Sequence, residues 1–263
     1  MKLPLYQVDA FTAIPFKGNP AAVCFLQEPM PDAWMAAVAG EMNLSETAFL
    51  LPENDGYRLR WFTPAVEVGL CGHATLASAH TLWDSGRLSA QAEACFYTRA
   101  GRLTARKDGA WIEMNFPSRP VEPASAPEGL LEALGVTAKR IAQGGNTYII
   151  ELTSEAEVRA AAPDFSALAR LPLRSVGVTS RAAMPGYDIV SRYFAPQVGV
   201  NEDPVTGSLH CRLAPYWSAI LGKNELSAYQ ASARGGELRL RLEDDRVRLG
   251  GQAVTVLEGS LQC

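Results

Sequence analysis

The chain has 263 residues, 48% of them apolar and 20% charged, a balance that fills one large globular core or two of ordinary size. A formal net charge of −4 leaves no basic excess to neutralise phosphates, which argues against nucleic acid or an anionic membrane as partner. No apolar run reaches the length of a signal peptide or a bilayer span. The five cysteines (Cys24, Cys71, Cys95, Cys211, Cys263) form no C-x-x-C pair, so a reducing, cytoplasmic setting is expected.

In chain order, strands are predicted at Leu3 to Phe11 and Ala21 to Leu26, around a turn built from Pro15, Gly18, Asn19 and Pro20. A short amphipathic helix is expected from Trp34 to Met42, with Asp32 as its N-cap. Thr47 to Leu51 and Arg58 to Phe62 read as strands. A longer helix follows from about His73 to Asp84 and closes at Gly86. Leu103 to Lys107 and Ala110 to Asn115 are joined at Asp108-Gly109, a strong hairpin signal. Four prolines between Pro117 and Pro127 cannot continue a helix or a central strand and mark an extended boundary. Beyond it, strands are predicted at Asp188 to Phe194, Leu238 to Leu242, Arg246 to Leu249 and Ala253 to Leu257. Arg234, Arg239 and Arg241 suit a solvated strand face. A second long helix runs from about Ser208 to Ile220 and closes at Gly222. Pro215 inside it predicts a kink or a later start.

The order of these elements carries an internal duplication. Arg60-Trp61-Phe62-Thr63-Pro64 recurs as Arg192-Tyr193-Phe194-Ala195-Pro196. With three residues gained, Cys71-Gly72-His73 then lies over Thr206-Gly207-Ser208, and Gly101-Arg102-Leu103 over Gly236-Glu237-Leu238. A repeat of this size is a domain and not a solenoid unit. The expectation is an α+β chain of two similar half-domains, 1–116 and 117–263, the last strand being a candidate to cross back to the first. Each half is expected to curl a mostly antiparallel sheet around one central helix, with a pseudo-two-fold between them.

Gly69 to Thr75 and Asp203 to Ser208 both put small residues where the chain enters a helix, where free N–H groups and the helix dipole favour an anion. Glycine also simply permits a tight entry turn. As a duplicated pair facing each other across a cleft, these ends suit a small carboxylic acid. His73 at one of them can donate to a substrate oxygen or shuttle a proton. His80 and His210 lie deeper in the helices and read as structural, and no histidine has the spacing of a metal site. Glu46, just before an apolar strand, is either a dehydrated acid/base carboxylate or a solvated turn carboxylate. Asp203 is either a proton relay or an N-cap.

Several blocks, in order, resemble the PhzF-like isomerases of phenazine biosynthesis. They are Asp9-Ala10-Phe11-Thr12 with Pro15 to Val23, Asn43 to Phe49, Phe62-Thr63-Pro64 with Glu67-Val68, Cys71 to Thr75, and Glu202 to Ser208. Little between Pro117 and Pro185 matches. The resemblance implies a diaminopimelate-epimerase-like fold, a homodimer, and proton transfer between carbons without metal or organic cofactor. It assigns catalysis to Glu46, His73, Asp203 and Ser208. Asn19, Cys71, Gly72, Ala74, Thr206 and Gly207 are expected to contact substrate. Two rivals remain open. A two-thiol racemase would need a partner for Cys71, but the repeat offers Thr206 there. A binding protein without chemistry would keep only the helix ends. A serine hydrolase fits poorly, because Thr206 and His210 occupy the glycine positions of a nucleophile elbow around Ser208.

Overall fold

A computed structural model describes residues 2–262. Met1 and Cys263, which entered the reading of the N-terminus and of the cysteines, lie outside the described residues. The other four cysteines are buried free thiols. The chain divides into two compact units. One takes the chain up to Phe116 and again from Leu249, and the other takes Pro117–Arg248. The expected second half runs to residue 263 with its last strand a candidate to cross back, and the segment from Leu249 falls in the first unit. It belongs with the first because its strand pairs with the opening strand from Lys2↔Gln262 to Ala10↔Ala253.

In the first unit β1 is Lys2–Ala10, β2 Asn19–Phe25, α1 Asp32–Met42, β3 Glu46–Glu53, β4 Gly56–Phe62 and β5 Glu67–Val68. They are followed by α2 Gly72–Asp84, β6 Ala94–Thr98, β7 Gly101–Asp108 and β8 Trp111–Pro117. The pairing alternates: β1–β2 antiparallel, β2–β3 parallel, β3–β4 antiparallel, β4–β6 parallel, β6–β7 antiparallel. Helix α2 packs on β1, β2 and β3 and is buried along most of its length. Small hydroxyl residues reach the core there because each bonds back to its own helix. Thr75 Oγ1 donates to Cys71 O, Ser78 Oγ to Ala74 O and Thr81 Oγ1 to Ala77 O. At the β7–β8 hairpin Asp108 pairs with Trp111, and Gly109 takes φ +59°, as read from Asp108-Gly109.

The second unit holds β9 Glu122–Pro123, α3 Leu130–Leu134, β10 Arg140–Gly144, β11 Thr147–Glu151, α4 Glu155–Ala160, α5 Phe165–Arg170 and β12 Ser175–Arg181. Then come β13 Ile189–Phe194, α6 Gly207–Leu221, β14 Glu225–Gln230 and β15 Gly236–Glu243, with β16 Arg246–Gly251 and β17 Ala253–Gln262 leading back to the first unit. The same alternation returns: β10–β11 antiparallel, β11–β12 parallel, β12–β13 antiparallel, β13–β14 parallel, β14–β15 antiparallel. The duplication is therefore one of topology as well as of sequence.

Two local expectations need correction. Helix α1 begins at Asp32 itself, with Pro31 in the cap position and no side-chain cap. The Asp32 carboxylate is drawn to Arg60 Nη1 at 2.8 Å instead. Helix α6 starts at Gly207, not later, and continues through Pro215. The carbonyl that Pro215 leaves without a helical donor is that of Cys211, and Arg119 N donates to it at 3.0 Å.

Candidate active site

Glu46, Asn19, Cys71 and His73 are brought together in the first unit by the starts of three elements. Residues 11–18 form a constrained loop with positive φ at Phe11, Phe16 and Gly18, pinned where Phe16 N donates to Asp9 Oδ2 at 2.7 Å. A Cβ on Gly18 would lie 2.2 Å from Ala10 O, so glycine is required there. The loop delivers Asn19, fully buried, at the start of β2. Asn43 ends α1 in the left-handed region, and the chain re-enters the sheet at Glu46, which pairs in parallel register with Ala21. Cys71 is the N-cap of α2, and Gly72, His73 and Ala74 form its first turn.

His73 is 4% exposed. Its Nδ1 accepts from Asn19 Nδ2 at 3.2 Å, and Cys71 Sγ lies 3.5 Å from the same nitrogen. Ser45 Oγ donates to Asn19 Oδ1 at 3.4 Å, which orients the amide so that its NH2 faces the ring. Nδ1 is thereby an acceptor, and the ring proton sits on Nε2. Nε2 lies 3.2 Å from Glu46 Oε2 but is not aligned into a hydrogen bond with it, so this buried N–H has no bonded partner. Burial lowers the His73 pKa to about 3. The ring is therefore neutral near pH 7.

The sequence separation of Glu46, Cys71 and His73 hid a further feature. One ligand atom from each lies within 4.8 Å of the others. The thiol lies 3.5 Å from Nδ1 and the carboxylate 3.2 Å from Nε2.

In the second unit Thr206 is the N-cap of α6, the position Cys71 holds on α2, and Gly207 and Ser208 open that helix. Asp203 Oδ2 accepts from Thr206 Oγ1 at 2.6 Å, and Asp203 N donates to Tyr193 O. Asp203 thus meets the N-cap residue of α6 through the Thr206 hydroxyl. Ser208 is half-buried. Two positioning residues escaped the sequence reading. Ser45 orients Asn19. Fully buried Gln230 accepts from Thr206 N at 2.8 Å and donates to Asp203 O at 2.7 Å. Gln230 ends an unremarkable strand, and no local pattern marked it. His80 and His210 are satisfied structurally, by Thr255 Oγ1 at 3.0 Å and by Thr206 O at 2.8 Å.

The family model described as phenazine biosynthesis-like protein matches residues 8–259. The chain belongs to this family. An uncharacterized isomerase of Halalkalibacterium halodurans is 54% identical over 262 residues, 99% of each chain. A crystal structure of a PhzF-family phenazine biosynthesis protein from Enterococcus faecalis matches at TM-score 0.95 and 40% identity, covering 100% of both chains. A probable proline racemase of Agrobacterium radiobacter with bound carbonate matches at TM-score 0.66 over 99% of this chain and 93% of its own. At 12% identity that likeness is one of fold alone. The fold is the diaminopimelate-epimerase-like one that the resemblance implied, and the chain is a PhzF-like isomerase.

Proposed function

We propose that this phenazine biosynthesis-like protein moves a proton between two carbons of a small unsaturated or hydroxylated carboxylic acid, with Glu46 as base and then acid. The observation that carries the reading is the Glu46 carboxylate set 3.2 Å from a buried, neutral His73. Glu46 takes a proton from one carbon, and the C–H electron pair delocalises toward the substrate's conjugated acid. The neutral carboxylic acid so formed returns a proton at the second carbon. The Nε2–H of His73 donates to charge that develops meanwhile, in a setting too dry for water to compete. By the family pattern, Asp203 relays a proton and Ser208 donates a hydrogen bond. Asn19, Cys71, Gly72, Ala74, Thr206 and Gly207 contact substrate. The scheme asks for no metal or organic cofactor. Homodimerisation and a cytoplasmic location belong to the same proposal. Among the described residues no helix is long and apolar enough to cross a membrane.

A two-thiol racemase draws no support from the paired N-caps, since Cys71 is matched by Thr206 and a hydroxyl is far too weak an acid for that role. The test is proton exchange followed by NMR in heavy water, with dihydro-hydroxyanthranilate and related carboxylic acids. Deuterium is expected to enter a substrate carbon with the native chain, and Glu46→Gln to lower the rate by about three orders of magnitude or more while still binding ligand. Equal exchange in the two proteins removes Glu46 from the mechanism. Loss of exchange on thiol alkylation or on chelation would turn the reading toward Cys71 or a bound metal.

A further inference from the structure

In the second unit we infer a binding site for a small oxyanion, a carboxylate or phosphate group, formed by Arg119, Arg174 and Arg212 beside Tyr193. Arg212 lies on α6, where its Nη1 donates to Ser208 O at 3.1 Å and its Nη2 reaches Gly144 O at 3.4 Å. Two backbone carbonyls thus hold the guanidinium by its outer nitrogens. The third donor, Nε, is buried and has no hydrogen-bond partner. Arg119 is tied to the same helix through its backbone, donating to Cys211 O next to Arg212. Arg174 N donates to Asn146 O, in the turn that follows Gly144. Three guanidinium-bearing residues are thereby gathered by short backbone ties.

What they lack is a counter-ion. Among the described residues no carboxylate forms an ion pair with Arg119, Arg174 or Arg212, whereas Arg60, Arg159 and Arg192 each engage one at 2.7–2.8 Å. Burial first, and then the like charges of Arg119 and Arg174, hold the Arg212 guanidinium below its usual range, as expected for positive charge that nothing neutralises. Burial keeps the Tyr193 phenol protonated, so it stays a neutral donor. Arg212 is half-buried and Arg174 exposed, so a small anion can enter from solvent. A planar guanidinium fork matches the paired oxygens of carboxylate or phosphate and gains most where water is partly excluded. The site draws nothing from the proton-transfer reading and needs no turnover to be seen.

The test is isothermal titration of the full chain at low ionic strength with inorganic phosphate and, separately, with malonate. Native protein is expected to bind one anion per chain. Arg212→Gln should weaken that by about tenfold or more, and Arg174→Ala by about threefold, with native circular dichroism retained. Tighter binding of phosphate assigns a phosphate-bearing ligand, and tighter binding of malonate a carboxylate. Absence of saturable binding with both anions overturns the site, as do equal affinities in native protein and variants. Should Arg212→Gln fail to fold, surface-exposed Arg174→Ala decides alone, and unchanged affinity in it overturns the site.

Discussion

The amide of Asn19 donates to Nδ1 of His73 while Ser45 holds its other end, so this neighbour favours one tautomer of a buried ring. Asn19→Asp replaces that donor with an acceptor. The ring proton should then move to Nδ1, turning the Nε2 lone pair toward the Glu46 carboxylate at 3.2 Å. Proton exchange should fall about 100-fold, the size of effect seen when a partner that orients a functional histidine is lost, and Asn19→Ala should cost less because it leaves both tautomers open. Two-dimensional 15N–1H correlation of the histidine rings checks the cause without any substrate. It is expected to report Nε2–H in the native chain and Nδ1–H in Asn19→Asp. An Nδ1–H signal in the native chain would defeat the assignment.

At the scale of elements, the duplication places the same clamp before each central helix. Arg60 Nε and Nη2 grip Glu67 at 2.8 and 2.7 Å, and Arg192 Nε and Nη2 grip Glu202 at 2.7 and 2.9 Å. Each guanidinium also stacks over the phenylalanine two residues on, Phe62 at 5.1 Å and Phe194 at 5.0 Å. The recurrence of Arg60-Trp61-Phe62 as Arg192-Tyr193-Phe194 is thus the trace of a fork that fixes the segments leading into α2 and α6. Arg192→Met should cost about 3 kcal/mol in urea unfolding, because a half-buried carboxylate loses its partner. The Ala161 carbonyl loses its 2.6 Å donor as well. Arg60→Met should cost less, since Arg99 still holds Glu67 at 2.7 Å. In either clamp, adding the matching Glu→Gln change should recover part of the loss, and strict additivity would refute the coupling. The sequence exposed these features for a physical reason. Helix entries, tight turns and the doubled arginines demand particular residue types, whereas β11 and β12 rest mainly on burial. Ile149, Ile150, Val176 and Val178 are fully buried on paired strands, yet such short apolar runs fit strand or helix equally well. The Glu46–His73 encounter was legible only through the family resemblance, since it depends on how β3 and α2 meet in space.

Across the whole molecule the three histidines share one property, a pKa lowered chiefly by burial. His73 falls to about 3 and His210 to about 4, and each is at most 4% exposed. A depressed histidine works against acid stability. The unfolded chain takes up protons near pH 6.5 that the folded chain refuses until its own lower value, so stability falls as pH drops through that window. The carboxylates act later. Burial alone would raise Glu151, but Tyr216, Lys139 and Arg140 outweigh it and lower its pKa, so its contribution is lost only as pH falls below the ordinary carboxylate range. Acid loss of stability should therefore begin below about pH 6.5, ahead of any carboxylate. Between pH 6 and 5 the unfolding free energy should drop with an uptake of about two protons, at about 1.4 kcal/mol per proton per pH unit. His210→Gln keeps a donor for the Thr206 carbonyl that Nδ1 now meets at 2.8 Å, while removing one titrating ring. Urea unfolding measured across pH 5 to 8 should show the linked uptake fall by about one proton in that variant, with stability at pH 8 little changed. A slope identical to that of the native chain would mean that His210 protonates as readily folded as unfolded, and that its buried neutral state is not a source of acid sensitivity.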